Sequence, residues 1–183
     1  YVALNGDDAN PGTLELPFST ILKGCSVLGA GDTLLIGDGT YPENLSHWNT
    51  INYYAQWIGF NFPGGTSWDK PVTIKAINNL GVIVKPVGEA SCVQLVVESE
   101  KYIIFDGLVF DGSENTNASF GIYIQQQTAE NAASYIEIRN CELRDVIGDG
   151  ILITSAIGHC RILNTKVHGC GISHIFIPGE PMP

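Results

Sequence analysis

Two stretches near the end of the chain carry the same pattern of residues. Residues 135–153 read YIEIRNCELRDVIGDGILI, and residues 159–177 read HCRILNTKVHGCGISHIFI. At an offset of 24 residues they share an asparagine (Asn140 and Asn164), apolar residues at matching positions and an Ile-x-Ile ending. Each stretch contains three short runs rich in β-branched residues, which are too short for helices. The chain therefore contains a repeat of three short strands.

The same three-strand pattern extends towards the N-terminus. It recurs at residues 102–124 and 72–97, and a first unit begins at residues 33–36. Short strands with residues alternating inward and outward are typical of a parallel β-helix. The handedness of parallel crossovers predicts right-handed winding, with coils about 4.8 Å apart. We therefore predict an all-β, right-handed parallel β-helix of four to five coils, one domain over residues 1–183 with regular coils at 72–177.

The shared asparagines fall at the corner between the first and second strands of a coil. Asparagine tolerates left-handed backbone angles, and its side chain forms hydrogen bonds to neighbouring groups. We expect Asn140 and Asn164 to stack and to hydrogen-bond along the coil axis. Gly107 holds the same corner one coil earlier, where it meets the angular demand without a side chain.

The N-terminal segment predicts a cap for the first coil. Residues 17–28 read PFSTILKGCSVL, with apolar residues at helical spacing and Ser19 as a candidate N-cap. A short helix here suits a lid over the open end of the hydrophobic bore. We expect residues 1–32 to form an N-terminal turn and this capping helix.

These N-terminal residues resemble the start of pectate-lyase-like right-handed parallel β-helix proteins. The resemblance is carried by YVALNGDDANPGTLELPFSTI at residues 1–21, by GAGDTLLIGDGTY at residues 29–41, and by the coil repeats. It implies the β-helix fold and work on polysaccharide outside the cell or at its surface. Members include polysaccharide lyases, glycoside hydrolases, epimerases, phage tailspikes and adhesin-like proteins without chemistry, so the resemblance leaves the activity open.

The ends of the chain raise two hypotheses. The sequence begins at Tyr1 without Met, and only PGEPMP follows the last strand, whereas enzymes of that family continue for several coils and a cap. We therefore expect a mature product or a fragment, possessing a last coil that needs covering. The first hypothesis is a polysaccharide-binding β-helix, such as an acidic-polysaccharide lyase or a piece of one. The alternative is a non-catalytic structural protein that stacks end to end through its last coil into a filament.

Composition limits the partners. The formal charge of −10 argues against nucleic acid. It also makes the binding of acidic polysaccharide harder unless a cation bridges the two, so both acidic and neutral polysaccharides are candidate partners. No apolar run approaches the roughly 18 residues of a membrane span. The number of cysteines is odd, so at least one lacks an intrachain partner. Their apolar neighbours favour buried core thiols, with a disulfide as the alternative.

Two aromatic groups are candidates for binding sugar. Residues 47–69 interrupt the repeat, and they form either a platform that stacks on sugar rings or a loop that packs on the outer wall. Residues between the inward positions of the third strands form an apolar outward stripe, which lines a glycan groove or packs against another surface. The substrate-binding candidates are the tryptophans Trp48, Trp57 and Trp68 and, from the stripe, Tyr123 and Phe176.

Carboxylates at the coil corners suggest lyase chemistry. Asp106, Asp111 and Asp145 are candidate ligands for Ca²⁺, which would neutralise a substrate uronate and acidify its α-proton. Arg139 or Arg144 would then remove that proton. These residues favour a polysaccharide lyase over a glycoside hydrolase, although plain turn chemistry also explains the corner aspartates.

A glycoside hydrolase would need a pair of facing acids. Asp149 is the third catalytic candidate, because it and Asp145 flank one turn and can form such a pair.

Structural roles compete for some of the same charges. The repeat register places Glu137 beside Arg161 and Glu142 beside Lys166, and such cross-strand pairs stabilise a sheet by roughly 0.2–1 kcal/mol. The sequons at Asn44 and at Asn117 are candidate glycosylation sites, both of a kind that also arises by chance.

Overall fold

The β-branched runs of the repeat form short parallel strands. The structure is a computed structural model that describes residues 1–46, 48–49, 56–57, 63–88, 91–95, 101–116, 120–125, 134–154, 159–171 and 175–176. Strands of the same rank in successive coils pair side by side, so that three parallel sheets surround a common core.

Each of the three sheets takes one strand from each of five coils. Sheet A contains β1 (Thr33–Ile36), β6 (Val72–Ala76), β9 (Lys101–Asp106), β12 (Ser134–Arg139) and β15 (Arg161–Leu163). Sheet B contains β2 (Gly39–Tyr41), β7 (Val82–Val84), β10 (Leu108–Asp111), β13 (Glu142–Arg144) and β16 (Lys166–His168). Sheet C contains β3 (Leu45–Ser46), β8 (Val93–Leu95), β11 (Ile122–Gln125), β14 (Ile151–Thr154) and β17 (Ile175–Phe176). Within the insertion, β4 (Trp48–Asn49) and β5 (Gln56–Trp57) pair antiparallel.

The register confirms the predicted parallel β-helix. In sheet A, Ile138 faces Ile162, at the offset of 24 residues that the sequence pattern indicates. The matching pairs in sheets B and C are Leu143 with Val167 and Ile151 with Ile175. The inward residues of the third coil are completely buried; they are Ile103, Phe105, Leu108, Phe110, Ile122 and Ile124. Stacked apolar layers therefore form the core along the coil axis.

The asparagine corner has the expected backbone. Asn140 and Asn164 have φ of 54° and 48°, and Gly107 has φ of 75°. The Asn164 amide donates to Asn140 Oδ1 at 2.8 Å, so the two side chains bond along the axis as predicted. Gly107 occupies the same corner one coil earlier and has no side chain, so the row of corner asparagines starts at Asn140.

The capping helix is shorter than predicted. Helix α1 spans Ile21–Cys25, and its N-cap is Thr20, whose hydroxyl accepts from the Lys23 backbone N–H at 3.1 Å. Ser19 instead donates its hydroxyl to Asp8. The predicted helix is present but does not cover all of residues 17–28, because the Phe18 backbone hydrogen-bonds to Tyr1 and Ala3 of the N-terminal segment and so cannot join the helix.

The two ends of the solenoid differ. Val2 pairs with the outer edge of β1, since its N–H donates to Leu35 O and its carbonyl accepts from Gly37 N–H. In the described part of the chain, β15, β16 and β17 have a neighbouring strand on one side only. End-to-end association through the last coil stays a prediction, and head-to-tail stacking would have to displace the Val2 segment.

Two further findings concern the cysteines and the helices. All five cysteines are free thiols, of which Cys25, Cys92 and Cys141 are buried, so the alternative of a disulfide is wrong. None of the helices among the described residues has the length and apolar character that a membrane span requires.

Candidate site on the outer face of sheet A

Alternation along the strands of sheet A separates an inner from an outer face. On β9, Ile103 and Phe105 enter the core, which turns Asp106 outward. On β12, Ile136 and Ile138 are the inward residues, so that the residues between and after them face out. The outer face of sheet A consequently carries two rows of functional side chains that run along the coil axis.

The first row is aromatic and lies where the strands of sheet A begin. We call Trp68, Tyr102, Tyr135 and His159 the aromatic row. The Tyr102 and Tyr135 rings stack with centroids 4.6 Å apart, and His159 stacks on Tyr135 at 5.1 Å. Trp68 meets both tyrosines edge to face, at 5.6 and 6.4 Å. One row thus joins the last loop of the insertion to three successive coils.

The backbone of this row is unusual for bulky residues. Tyr102, Tyr135 and His159 have φ of 54°, 59° and 65°, in the left-handed region that non-glycine side chains seldom occupy. Such a conformation costs of the order of 1–3 kcal/mol and persists only where the surroundings impose it. Its recurrence in three successive coils keeps the rings in register.

Trp68 and His159 are the exposed residues of the aromatic row, whereas Tyr102 and Tyr135 are half-buried. The two tyrosine rings cover each other's faces, whereas Trp68 is 37% exposed. The Arg161 guanidinium lies 5.9 Å from the Trp68 ring centroid, a distance at which a cation is attracted to the π-face. The indole and the guanidinium together form a surface that can stack on a flat apolar face and donate hydrogen bonds beside it.

The second row consists of ion pairs that alternate in sign along the coil axis. We call Lys75, Asp106, Arg139, Glu137 and Arg161 the ion-pair row. Arg139 binds Asp106 at 3.0 Å and Glu137 at 2.9 Å, and Arg161 binds Glu137 at 3.1 Å. Lys75 lies 3.6 Å from Asp106. Three cations share two buried carboxylates, so this face carries a local positive excess on a chain of charge −10.

Ionisation of this row is stabilised by its own partners. Burial raises the pKa of Asp106, but hydrogen bonds from Asn140 and Arg139 outweigh it and hold that pKa below its ordinary value. Burial lowers the pKa of Arg139, and its bonds to Asp106 and Glu137 reverse this, leaving the pKa raised. A guanidinium held protonated in this way is a weaker general base.

Sheet B repeats the ion-pair motif on a different side of the molecule. Arg144 binds Asp111 through Nε and Nη2, both at 2.9 Å, and lies 3.4 Å from Glu142. His168 Nε2 is 2.9 Å from the same Glu142 carboxylate. The hydrogen bond to Asp111 is the main cause of the raised pKa of Arg144. The two candidate bases, Arg139 and Arg144, therefore lie on separate faces.

The predicted metal ligands are also separated. Asp106 lies on sheet A, Asp111 on sheet B, and Asp145 is exposed at the corner after β13. Among the described residues, no three side chains of His, Cys, Asp or Glu converge on one point. A Ca²⁺ site built from these aspartates stays a prediction.

The acid pair differs in environment. Asp149 is buried and its Oδ1 has no hydrogen-bond partner among the described residues, whereas Asp145 is exposed and has a left-handed backbone. Catalysis by Asp149, like that by the two arginines, stays a prediction.

The predicted stripe on sheet C is one row, as expected. Tyr123 faces Leu152, which faces Phe176 in the register, and the Tyr123 ring packs at 4.9 Å from Phe120. Leu152 is only 8% exposed, so part of the stripe is covered. The side chain of Phe176 lies outside the described residues.

The remaining candidates are placed only in part. The backbones of Trp48 and Trp57 face each other in β4 and β5, and their side chains lie outside the described residues. Asn44 is half-buried, and its Oδ1 has no partner within the described part of the chain; Asn117 lies outside that part. Glycosylation at either asparagine stays a prediction.

Several residues of this face were missed from sequence. The predicted pairing of Glu137 with Arg161 is confirmed, and Glu142 faces Lys166 in the register. The pairs of Asp106 with Arg139 and of Asp111 with Arg144 were not expected, although both join residues 33 apart. The signal was the Glu-x-Arg string that occurs twice, at residues 137–139 and 142–144, with an aspartate 33 residues before each arginine. The aromatic row also had a signal, because Tyr102, Tyr135 and His159 are the first residues of three successive repeat units; only Trp68 comes from outside the repeat.

Comparison with known sequences gives one curated relative. No family model matches the chain. The chain is 28% identical over 153 residues to the uncharacterized protein YwoF of Bacillus subtilis strain 168, covering 80% of this chain and 28% of that protein. The chain thus spans little more than a quarter of the length of this relative.

Solved structures share the β-helix. The GH136 lacto-N-biosidase from Eubacterium ramulus superposes with a TM-score of 0.62 at 18% identity, over 94% of this chain and 34% of that one. A rhamnogalacturonan lyase superposes with a TM-score of 0.51 at 18% identity, over 98% of this chain and 58% of the lyase. Pectate lyase Pel9A superposes with a TM-score of 0.49 at 16% identity, over 90% of this chain and 46% of that enzyme. The first two confirm the fold that the N-terminal resemblance implied.

Proposed function

We propose that this chain is a carbohydrate-active β-helix that binds polysaccharide on the outer face of sheet A, outside the cell or at its surface. The β-helix is shared with a lacto-N-biosidase and a rhamnogalacturonan lyase, both named for action on carbohydrate. The aromatic row and the ion-pair row lie side by side on this one face and extend over several coils. An extended polymer lying along the coil axis would contact both rows.

The observation that carries the proposal is the exposed Trp68 ring beside Arg161. A sugar ring offers an apolar C–H face to an aromatic ring and hydroxyl or carboxylate oxygens to a nearby cation. Trp68 and Arg161 present those two partners 5.9 Å apart. Tyr102 and Tyr135 hold the indole from behind, which reduces the entropy that binding must remove.

Chemistry on the bound polymer is a further step of the proposal. A lyase centre needs a base, and both candidate arginines have raised pKa values that oppose this role until a partner carboxylate moves away. A catalytic chain should release unsaturated ends that absorb ultraviolet light from pectate or alginate in the presence of Ca²⁺. Absence of such products across a panel of acidic glycans, with binding retained, would make the chain a binding protein.

Binding is tested by titrating the chain with polygalacturonate, alginate and a neutral galactan, using calorimetry or affinity electrophoresis. Trp68→Ala should weaken binding to the preferred polymer about five- to tenfold, since an aromatic contact contributes roughly 1 kcal/mol beyond the area that it buries. Thermal unfolding of the variant verifies that the fold is intact.

The matched control is Tyr123→Ala, which removes an aromatic ring from sheet C. Binding by this variant should equal that of the wild type. If Tyr123→Ala loses binding and Trp68→Ala does not, the glycan lies on sheet C and the proposal is wrong.

A further inference from the structure

A cleft opens at the other edge of the outer face of sheet A, where the strands end. It has a volume of about 290 Å³, close to the lower limit for small-molecule sites and suited to one sugar residue. Its lining comes from three successive coils and comprises Lys75, Ala76, Ile77, Asn79, Asp106, Gly107 and Asn140. It lies across the strands from the aromatic row. It shares Lys75 and Asp106 with the ion-pair row, but neither Trp68 nor Arg161, the pair that carries the proposed function, lines it.

The cleft exists because one rung is missing from the row of corner asparagines. Asn164 donates to Asn140, and Asn140 donates to Asp106 Oδ1 at 2.8 Å. The next position along the row is Gly107, which has the same left-handed backbone but no side chain. A Cβ at Gly107 would lie 3.0 Å from Asn79 Oδ1, so a side chain there would enter the cleft.

The groups available to a ligand in the cleft are the Lys75 ammonium and the Asn79 amide. The Asp106 carboxylate is engaged by Asn140 and Arg139, at 2.8 and 3.0 Å. Within the described residues, the Asn79 amide makes no hydrogen bond, and the Lys75 ammonium has only its 3.6 Å contact with Asp106. Lys75 is therefore the partner of Asp106 that is most easily drawn to another anion.

We infer that this cleft binds one carboxylate-bearing sugar residue of the polysaccharide. Lys75 supplies the charge that pairs with the carboxylate, and the Asn79 amide donates a hydrogen bond beside it. Asp106 stays neutralised by Arg139 when Lys75 turns to the ligand, so no buried carboxylate is left unpaired. The inference rests on the proposed function for its polymeric ligand, whereas its residues are independent of Trp68.

The test compares trigalacturonate with its fully methyl-esterified form by calorimetry at low ionic strength. Lys75→Gln and Gly107→Asn should each weaken the binding of trigalacturonate by about tenfold. The ester, which lacks the charge, should bind all variants equally weakly. Asparagine suits the φ of 75° at Gly107, and the nearest obstacle is the end of a flexible side chain, so this variant is expected to fold.

Two control variants match these changes elsewhere. Lys166→Gln removes one exposed cation from sheet B, and Gly88→Asn places asparagine at another left-handed glycine, φ of 90°, with open space around its Cβ. Both should bind trigalacturonate like the wild type. If Gly107→Asn fails to fold, a comparison of trigalacturonate binding by Lys75→Gln and by Lys166→Gln still tests the role of the Lys75 cation.

Unchanged binding by Lys75→Gln, or an ester that binds as tightly as the acid, would overturn the assignment. Equal affinity for free galacturonate and for trigalacturonate would also overturn it, by making the cleft a site for a small carboxylate. Loss of polymer binding by Trp68→Ala alone would leave the proposed function standing without this cleft. If both Trp68→Ala and Lys75→Gln retain full polymer binding, the proposed function and the cleft assignment are both wrong.

Discussion

The outer faces of sheets A and B carry the same ion-pair motif in different surroundings. On each face an arginine of the fourth coil binds the glutamate two residues before it and an aspartate one coil earlier, as Arg139 does on sheet A and Arg144 on sheet B. Among the residues that the structure describes, an aromatic row runs beside the ion pairs on sheet A only. The motif itself is thus a way of joining coils, and the neighbouring rings mark sheet A as the candidate binding face.

Acidification should weaken both faces together, and it is the largest effect that we expect. Asp106, Asp111 and Glu142 have pKa values below their ordinary ones, despite the opposing effect of burial. Their ionised forms therefore stabilise the fold above the ordinary pKa, and this stabilisation is lost as the pH falls through the lowered values. The melting temperature should fall steeply below about pH 4.

Glu43 works in the opposite sense, because burial raises its pKa. Its protonation favours the folded state as the pH falls, which only partly offsets the three other carboxylates. Arg139→Gln and Arg144→Gln should each flatten the acid limb of a plot of melting temperature against pH. A limb of unchanged steepness in both variants would show that the ion pairs do not cause it.

Removal of the buried aspartates should cost similar free energy on the two faces. Asp106→Ala and Asp111→Ala each leave a partly buried guanidinium without its main partner, so each should lower the free energy of unfolding by about 2–3 kcal/mol. Urea unfolding of the two variants measures this. A cost on one face only would mean that the shared motif is not equally structural.

At Tyr135 of the aromatic row, glycine should be a less destabilising replacement than alanine, the reverse of the usual order in a strand. With φ of 59°, alanine at this position keeps the backbone strain and loses the ring contacts, whereas glycine loses the contacts and relieves the strain. Tyr135→Gly should therefore be more stable than Tyr135→Ala by about 1 kcal/mol. Differential unfolding of the pair tests it, with Ile104, a strand residue of sheet A, providing the control in which alanine is the better replacement. The ordinary order at Tyr135 would mean that its backbone relaxes when the ring is removed.

Much of the molecule was predictable because the coils repeat. A spacing of 24 residues, an Ile-x-Ile ending and a shared asparagine were enough to place Ile138 on Ile162 and Asn140 beside Asn164. The cap was predicted as a helix, but its length was not, because Phe18 pairs with the N-terminal segment and the apolar spacing of residues 17–28 does not register this.

The candidate site was predictable only in fragments. Trp68, Arg139 and Asp106 were singled out, but as a stacking residue, a base and a metal ligand belonging to unrelated sites. The structure places them on one face, where Arg139 binds the very carboxylate that had been assigned to Ca²⁺. Asp106 and Arg139 are neighbours across a coil of 33 residues; the repeat located the start of that coil but did not show which outward charges would pair.

The sequence by itself determined the winding, since alternating apolar residues at a regular interval can be buried only by stacking coils. It also determined the left-handed corners at Gly107, Asn140 and Asn164, because few residue types tolerate that backbone. Only the tertiary structure decided which outward side chains share a face. Loops of unequal length separate those residues along the chain, and the contacts among their rings and charges exist only after the coils have stacked.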